Sequence, residues 1–206
     1  TAGIRRKARI TTSLEKYSVL RAHRALRRCH IAILVLDASM GVTAQDKRLA
    51  GMAAESDKGL IIALNKCDLI TGRTKSDLAR IIPVAFAFVA YAPVLPVSAV
   101  TGQGISDLLP AVDRVMEAYS RRIPTAALNK VIAEAVLATP PPVFKKRRGR
   151  VLYATQTATR PPTIVLFVNE PEAFTRSYLR YLENRLREAY ELQGSPIRLI
   201  VRKREA

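Results

Sequence analysis

The feature that most constrains the fold is the apolar run Gly-Leu-Ile-Ile-Ala-Leu at residues 59–64, which ends abruptly in the polar turn Asn65-Lys66-Cys67-Asp68. A short apolar run that stops at polar residues is typical of a strand buried on both faces. Such strands belong to parallel sheets, and α/β proteins bind ligands at the carboxyl ends of these strands. The run therefore predicts an α/β fold, and it places the turn where such a sheet binds its ligand.

The residue types in this turn favour a guanine base as the ligand. The carboxylate of Asp68 can accept two hydrogen bonds from the N1–H and N2–H₂ edge of guanine, an edge that adenine does not offer. The aliphatic part of Lys66 can lie along the face of the base while its ammonium stays in water. An ordinary strand-to-loop turn without a ligand is the alternative.

A second polar turn follows another predicted strand. Ser98 and Ala99 come at the end of the strand-like residues 94–97 and lead through Thr-Gly-Gln-Gly into a helix. The separation from Asp68 fits one helix and one strand. We therefore expect the two turns to cluster at the carboxyl ends of neighbouring strands.

The rest of the amino-terminal part alternates between predicted helices and strands, which indicates a parallel sheet with right-handed crossovers and helices on both faces. The predicted elements are a helix over residues 13–29, a strand over 31–36 that ends at Asp37, a helix from Thr43 to about residue 57, the strand over 59–64, a short helix from Ser76 to before Pro83, a strand over 94–97 and a helix over 105–122.

The sequence Arg-Arg-Ile-Pro at residues 121–124 predicts a domain boundary, so that residues 1–124 and 125–206 form two domains. The second domain reads as helix, strand, strand, helix and strand, which is typical of a small α+β sandwich. Its predicted elements are a helix over residues 125–137, strands over 151–157 and 163–169, a helix over 174–192 and a strand over 197–201.

The charge of the chain is strongly positive. Lysine and arginine number 34 against 17 aspartates and glutamates, a formal net charge of +17. This excess indicates a polyanionic partner. RNA fits better than a membrane surface, because no predicted helix pairs a wide apolar face with a basic one. A soluble basic protein without such a partner is the alternative.

Targeting signals are not evident in the sequence. No apolar run is long enough to cross a bilayer, and the first residues lack a signal-peptide pattern. The two cysteines, Cys29 and Cys67, suggest a reducing compartment and no disulfide framework. The sequence therefore predicts a cytoplasmic protein that is not associated with a membrane.

Together with the residues Thr1-Ala2-Gly3-Ile4, the two polar turns resemble the DTAG, NKxD and SA motifs of translation-factor-type GTPases. Three further stretches, residues 41–46, 160–163 and 178–187, narrow this resemblance to the Der (EngA) family of ribosome-assembly GTPases. The resemblance covers nearly the whole chain. It implies a Ras-like P-loop GTPase domain followed by a KH-like domain.

The sequence contains no G-x-x-x-x-G-K-[ST] motif, so it lacks the loop that cradles phosphates in this class. We therefore expect a carboxyl-terminal fragment with a truncated GTPase domain, which on its own is inactive in hydrolysis. The resemblance implies GTP or GDP as the ligand. It also implies Mg²⁺ and a potassium ion, with their ligands upstream of Thr1.

The resemblance implies a role for each motif residue. Gly3 would point its N–H at the γ-phosphate, Asn65 would tie its turn to the phosphate loop, and the N–H of Ala99 would donate to the guanine carbonyl. No catalytic residue is identified, because Ile4 stands where many GTPases carry a water-orienting glutamine. The implied nucleotide contacts are Thr1, Ala2, Gly3, Ile4, Asn65, Lys66, Cys67, Asp68, Ser98 and Ala99.

The implied partners are ribosomal RNA of the large subunit and an upstream GTPase domain. RNA-binding KH domains clamp the backbone with a GXXG loop, but residues 174–192 contain no glycine. Basic residues are therefore candidates for contact with either RNA or another domain, and a solvated helix face is the alternative for those on the helix. They are Lys145, Lys146, Arg147, Arg148, Arg176, Arg180, Arg185 and Arg187.

Two other functions remain open from the sequence. The chain could be an RNA- or ribosome-binding module that works without nucleotide. It could also be an interaction protein whose half-sheet is completed by another chain, since truncation would leave residues 31–36 as an unpaired apolar edge.

Overall fold

The computed structural model describes residues 21–22, 24–70 and 72–204, and the chain divides into two compact units, residues 1–108 and 109–206. No helix within these described ranges is both long and apolar enough to cross a membrane. The predicted boundary at residues 124/125 stays a prediction. The compact units divide earlier because the helix before it contributes Ala118 to the core of the second unit.

The first unit is built on a parallel sheet, as predicted. Strands β1 (Ile31–Asp37), β2 (Gly59–Asn65) and β3 (Val94–Pro96) lie in the order β1-β2-β3. Strands β1 and β2 pair in parallel along their whole length, from Ile31 opposite Gly59 to Asp37 opposite Asn65. All of β2 except its last residue is buried, which explains its unbroken apolar sequence.

Helix α1 (Ala44–Glu55) begins where its sequence predicts. The Thr43 hydroxyl accepts a hydrogen bond from the N–H of Asp46, and the Asp46 carboxylate accepts one from the N–H of Thr43. This reciprocal capping box satisfies two N–H groups that the first turn would otherwise leave without partners.

Helix α2 (Gly72–Ala85) differs from the prediction of a short helix that stops before Pro83. It begins earlier and continues through Pro83. Proline removes one helical N–H, but Leu78 and Ile82 are each only 5% exposed and anchor the helix in the core. Tertiary packing therefore outweighs the local cost of proline.

Strand β1 has exposed apolar side chains and, among the described residues, a neighbour on one edge only. Leu36 is buried in the core, whereas Ile33 is 43% and Val35 is 59% exposed. Within the described part of the chain, β1 has a hydrogen-bonded neighbour on one side only, namely β2. The unpaired apolar edge that the sequence predicts for residues 31–36 stays a prediction, because residues 1–20 are not among the described residues.

The elements of the second unit are α3 (Leu108–Ser120), α4 (Thr125–Ala138), β4 (Val143–Phe144), β5 (Arg147–Arg148), β6 (Val151–Ala158), β7 (Thr163–Val168), α5 (Arg176–Tyr190) and β8 (Arg198–Lys203). From residue 125 onward they follow the predicted helix-strand-strand-helix-strand order, with the short strands β4 and β5 in addition. Strands β6 and β7 are antiparallel, β7 and β8 are parallel, and the sheet order is β6-β7-β8.

The hairpin of β4 and β5 was not predicted. Its turn lies at Lys145 and Lys146, which both have positive φ angles (46° and 66°). Strands of two residues carry no readable hydrophobic period, so the sequence gives no signal for them.

Helices α4 and α5 cover one face of the second sheet. The core includes Leu128 of α4, Leu166 of β7 and Leu182 of α5, each with no exposed surface. The hydroxyl of Tyr178 also donates to the carbonyl of Thr139 at 2.7 Å, and burial raises the pKa of this hydroxyl to about 12. The second unit thus has two layers, one of helices and one formed by the sheet, which pack against each other.

Two side-chain amides of this unit, the half-buried Asn129 and the buried Gln156, bond to backbone groups. The side chain of Asn129 in α4 accepts from the N–H of Ala154 at 2.7 Å and donates to the carbonyl of Ala154 at 2.8 Å. The side chain of Gln156 accepts from the N–H of Ile123 at 2.7 Å and donates to the carbonyl of Arg121 at 2.8 Å. Both side chains therefore form hydrogen bonds with backbone N–H and C=O groups that have no partner within a helix or a sheet.

Candidate nucleotide-binding site

The Asn-Lys-Cys-Asp turn lies at the carboxyl end of the central strand β2. Lys66 adopts a left-handed conformation with φ of 64°, and residues 67–69 form one turn of 3₁₀ helix. The N–H of Cys67 donates to the carbonyl of Val97 at 3.1 Å, and Asp68 is exposed. The carboxylate that was predicted to select guanine is thus open to solvent at the strand end.

The Ser-Ala turn lies directly beside it. The side-chain oxygen of Asn65 accepts a hydrogen bond from the N–H of Ala99 at 3.0 Å. Ser98 is completely buried, and its hydroxyl oxygen accepts from the N–H of Thr101 at 3.2 Å. The structure therefore brings together the two turns that the sequence predicted to cluster.

The hydrogen bond between Asn65 and Ala99 joins two groups for which the family resemblance implies other partners. Asn65 was expected to tie its turn to the phosphate loop, and the N–H of Ala99 was expected to donate to guanine. In this structure the two groups bond to each other. The nucleotide roles of both residues stay predictions.

Asp37 is a member of this cluster that the sequence analysis did not identify. Its carboxylate lies 2.6 Å from the ammonium of Lys66 and accepts hydrogen bonds from the N–H and hydroxyl of Ser39 at 3.1 Å and 2.6 Å. The hydrogen bond from Lys66 and then that from Ser39 hold the pKa of Asp37 below its usual value. Its position as the last residue of the neighbouring parallel strand was the signal that could have found it.

The remaining nucleotide contacts, Thr1, Ala2, Gly3 and Ile4, lie outside the described residues. Within residues 21–22, 24–70 and 72–204, no group of three or more histidine, cysteine, aspartate or glutamate side chains could hold a metal ion. Magnesium that is bound together with a nucleotide takes most of its ligands from phosphates and water. The ligands of magnesium and of potassium that the resemblance implies stay predictions for residues outside the described ranges.

The basic candidates lie on two elements of the second unit. Arg187 is half-buried, and its guanidinium donates to the carbonyls of Leu192 and Ser195, so it holds the loop after α5. Arg185 forms an ion pair with Glu188 at 3.0 Å. The exposed members are Lys145, Lys146, Arg147 and Arg148 on the β4–β5 hairpin and Arg176, Arg180 and Arg185 on α5.

Glu183 lies among the arginines of α5. Burial raises the pKa of its carboxyl, and the nearby guanidinium groups of Arg187, Arg180 and Arg176 oppose that shift. These three arginines therefore already face an acidic neighbour within their own helix.

Two family models match the chain. Residues 17–118 match the elongation factor Tu GTP binding domain, and residues 122–202 match the KH-domain-like region of EngA bacterial GTPase enzymes, C-terminal. These matches agree with the predicted α/β unit and the KH-like unit that follows it.

Curated relatives match nearly the whole chain. GTPase Der of Moorella thermoacetica is 49% identical over 205 residues, which are 98% of this chain and 47% of the relative. GTPase Der of Alkaliphilus oremlandii is 47% identical over 99% of this chain and 47% of its own length. The chain thus spans about half the length of the curated relatives it matches.

A crystal structure of Aquifex aeolicus Era bound to GDP·AlF4⁻ is 16% identical and covers 95% of this chain and 73% of that chain, with a TM-score of 0.46. The Der relatives and the two family models agree along almost the entire sequence. The chain therefore belongs to the GTPase Der (EngA) family.

Proposed function

We propose that this chain is the guanine-binding part of a GTP-hydrolysing factor that acts in assembly of the large ribosomal subunit. The observation that supports it best is the hydrogen bond between Asn65 and Ala99, which joins the two motif turns beside the exposed Asp68. The Der relatives carry the name GTPase, and the ribosomal role rests on the family resemblance.

The parallel register explains how the base site is pre-formed. Leu64 lies opposite Pro96, so the residues that follow β2 and β3 leave the sheet at the same level. The buried Ser98 fixes the second turn from within. A base that enters here meets backbone and side-chain groups that are already ordered, and little further ordering entropy is lost on binding.

Asp68 would provide guanine selectivity in this site. Its exposed carboxylate can accept from both donors on the guanine edge, and a site built to pair polar edges rejects a ligand without them by roughly 10⁴-fold. Lys66 would cover one face of the base with its aliphatic part, while Asp37 holds its ammonium at 2.6 Å. In this proposal the described residues supply the groups for base recognition, and contacts to the phosphates belong to the predicted roles of Thr1–Ile4.

We further propose ribosomal RNA and a preceding GTPase domain as partners, and the cytoplasm as the location. The net charge of +17 and the exposed basic residues of the hairpin and α5 support an RNA partner. The same basic residues favour the second candidate function, an RNA-binding module that works without nucleotide.

Nucleotide competition tests the base site. Fluorescent GDP is bound to the chain and displaced with unlabelled GDP, ATP or xanthosine diphosphate. We expect GDP to displace the label and ATP to fail, and we expect Asp68→Asn to shift the preference from guanine to xanthine, because an amide can donate to the xanthine carbonyl. The matched control is Asp113→Asn, which removes the same charge from an exposed position on α3.

Two results would count against this function. An unchanged preference in Asp68→Asn would remove Asp68 from the base site. Absence of guanine-specific binding to the unmodified chain, together with retained RNA binding, would favour the nucleotide-independent module.

A further inference from the structure

Two aromatic rings stack on the face of the second sheet that lies opposite α4 and α5. Tyr153 of β6 and Phe167 of β7 are register partners, with ring centroids 4.3 Å apart and planes inclined by 13°. Their strand neighbours Ala154 and Leu166 are buried in the core, so alternation places the two rings on the outer face. Tyr153 is 39% exposed, which leaves ring surface available to a ligand.

Arginines of β8 flank this aromatic pair. Arg202 is the register partner of Phe167, and register partners point to the same face of a sheet. The guanidinium of Arg204 lies 6.0 Å from the centroid of the Tyr153 ring. The N–H of Arg204 donates to the carbonyl of Val168 at 3.1 Å, which fixes this arginine at the end of the sheet.

The basic hairpin joins the same end of the sheet. The side chain of Asn169 accepts from the N–H of Arg150 at 2.7 Å and donates to the carbonyl of Arg148 at 3.0 Å. Both of these arginine side chains are exposed. The aromatic pair therefore lies at an end of the sheet where the chain also places Arg148, Arg150, Arg202 and Arg204.

Glu172 lies near two lysines of the second unit. The pKa of the Glu172 carboxyl is lowered mainly by a backbone hydrogen bond and then by a hydrogen bond with the side chain of Glu170. The positive charges of Lys203 and Lys145 lower it further. Arg202 and Arg204 lie beside the aromatic pair by register and by distance, and phosphate contacts are assigned to them on that ground.

We propose that this face, defined by Tyr153, Phe167, Arg202 and Arg204, binds single-stranded RNA, a proposal that rests on the RNA partner proposed above and names its contact surface. A base stacks on the Tyr153 ring, and the guanidinium groups contact the neighbouring phosphates. Aromatic rings interleaved with arginines suit single strands because every base has a face to stack and every linkage carries a charge.

The last helix of the unit bears on how RNA would be held. Residues 174–192 contain no glycine, and α5 runs without a break from Arg176 to Tyr190. The usual KH clamp on the RNA backbone is therefore absent from this element, and a sheet face with stacked rings provides base contacts by a different route.

The test measures binding of a fluorescent single-stranded RNA of about ten nucleotides, a length within the range of known single-strand sites, by anisotropy at several salt concentrations. We expect Tyr153→Ala to weaken binding by about tenfold, as removal of one stacking ring does, and Tyr153→Phe to stay within about twofold. Arg204→Gln should weaken binding and reduce the salt slope by about one.

The matched control is Arg114→Gln, which removes one positive charge from an exposed position on α3. It should leave the affinity and the salt slope near those of the unmodified chain. Tyr153→Phe keeps the ring and tests the hydroxyl alone. Hydrogen exchange of the β7 amides in Tyr153→Ala separates loss of stacking from loss of fold, because it stays near that of the unmodified chain if the unit remains folded.

The outcomes distinguish this proposal from the proposed function. RNA binding that is equal in the unmodified chain and in Tyr153→Ala overturns the stacking surface but leaves the RNA partner standing, and would favour a protein partner for this face. Absence of RNA binding in the unmodified chain overturns both, while the guanine site is judged by nucleotide competition alone.

Discussion

Gln156 allows a quantitative test of the second unit. Its side chain is only 4% exposed and makes three hydrogen bonds, to the N–H of Ile123 and to the carbonyls of Arg121 and Ala158, at 2.7, 2.8 and 3.1 Å. Leucine has a similar volume and removes all three. Since Ile123 is buried, its N–H would then lack a partner inside the protein.

The expected cost follows from these contacts. A buried N–H without a partner costs about 1–3 kcal/mol, and the loss of a typical hydrogen bond costs about 1 kcal/mol. The apolar leucine side chain offsets part of this sum. We expect Gln156→Leu to lower the free energy of unfolding of the second unit by about 2–4 kcal/mol.

Native-state hydrogen exchange of the β7 amides measures this unit separately from the first. A loss of about 2–4 kcal/mol corresponds to exchange that is about 30- to 1,000-fold faster. Asn184→Ala, on the exposed side of α5, is the matched amide control and should change stability by less than about 0.5 kcal/mol. If Gln156→Leu changed β7 exchange as little as this control, the three bonds would not stabilise the unit as argued.

Three further predictions concern other parts of the chain. Asp37→Asn should make the melting temperature fall less steeply as the pH is lowered. The pKa of Asp37 is lower in the folded chain, so the ionised carboxylate stabilises the fold fully above about pH 4, and this stabilisation is lost as the pH falls through the folded-state pKa. Melting temperatures at low pH that match those of the unmodified chain would contradict this. Amides of residues 31–36 should exchange faster than those of residues 59–64, because β1 has a described neighbour on one side only; equal protection in a monomer would mean that another segment covers the edge. Gly194→Ala should lower the free energy of unfolding in urea by at least about 2 kcal/mol, since φ is 78° and a Cβ would overlap a valine of α3. Gly102→Ala, with φ of 81° and open space around the Cβ, should lower it by about 1 kcal/mol. Equal losses in the two variants would show that the overlap at residue 194 is relieved.

Local sequence signals predicted the elements that depend on local chemistry. The buried strand at residues 59–64 was readable because both of its faces are covered, and the start of α1 was readable because Thr43 and Asp46 form their capping box within one turn. The order of the main elements from residue 125 onward followed from the same kind of pattern, and the structure has it.

Contacts between distant residues were not readable in this way. The pairing of Asp37 with Lys66 depends on the register of two strands, which the sequence does not specify residue by residue. Asn129 and Gln156 appear as isolated amides within apolar patterns, and their backbone partners are identified only by the packed structure. Proline at residue 83 was expected to end a helix, and only the burial of its neighbours explains why it does not.

The bond pair between Asn129 and Ala154 has a consequence for how the purified protein behaves at high concentration. An edge strand normally offers its N–H and C=O groups to any passing strand, which is how sheets from different molecules join into aggregates. At Ala154 both groups are already taken, so a foreign strand cannot form a continuous ladder along β6. Of β6 and β1, we therefore expect β1, which has no second neighbour among the described residues, to be where precipitation on concentration or storage starts. Solubilising substitutions at its exposed residues Ile33 and Val35 should be more effective than substitutions along β6.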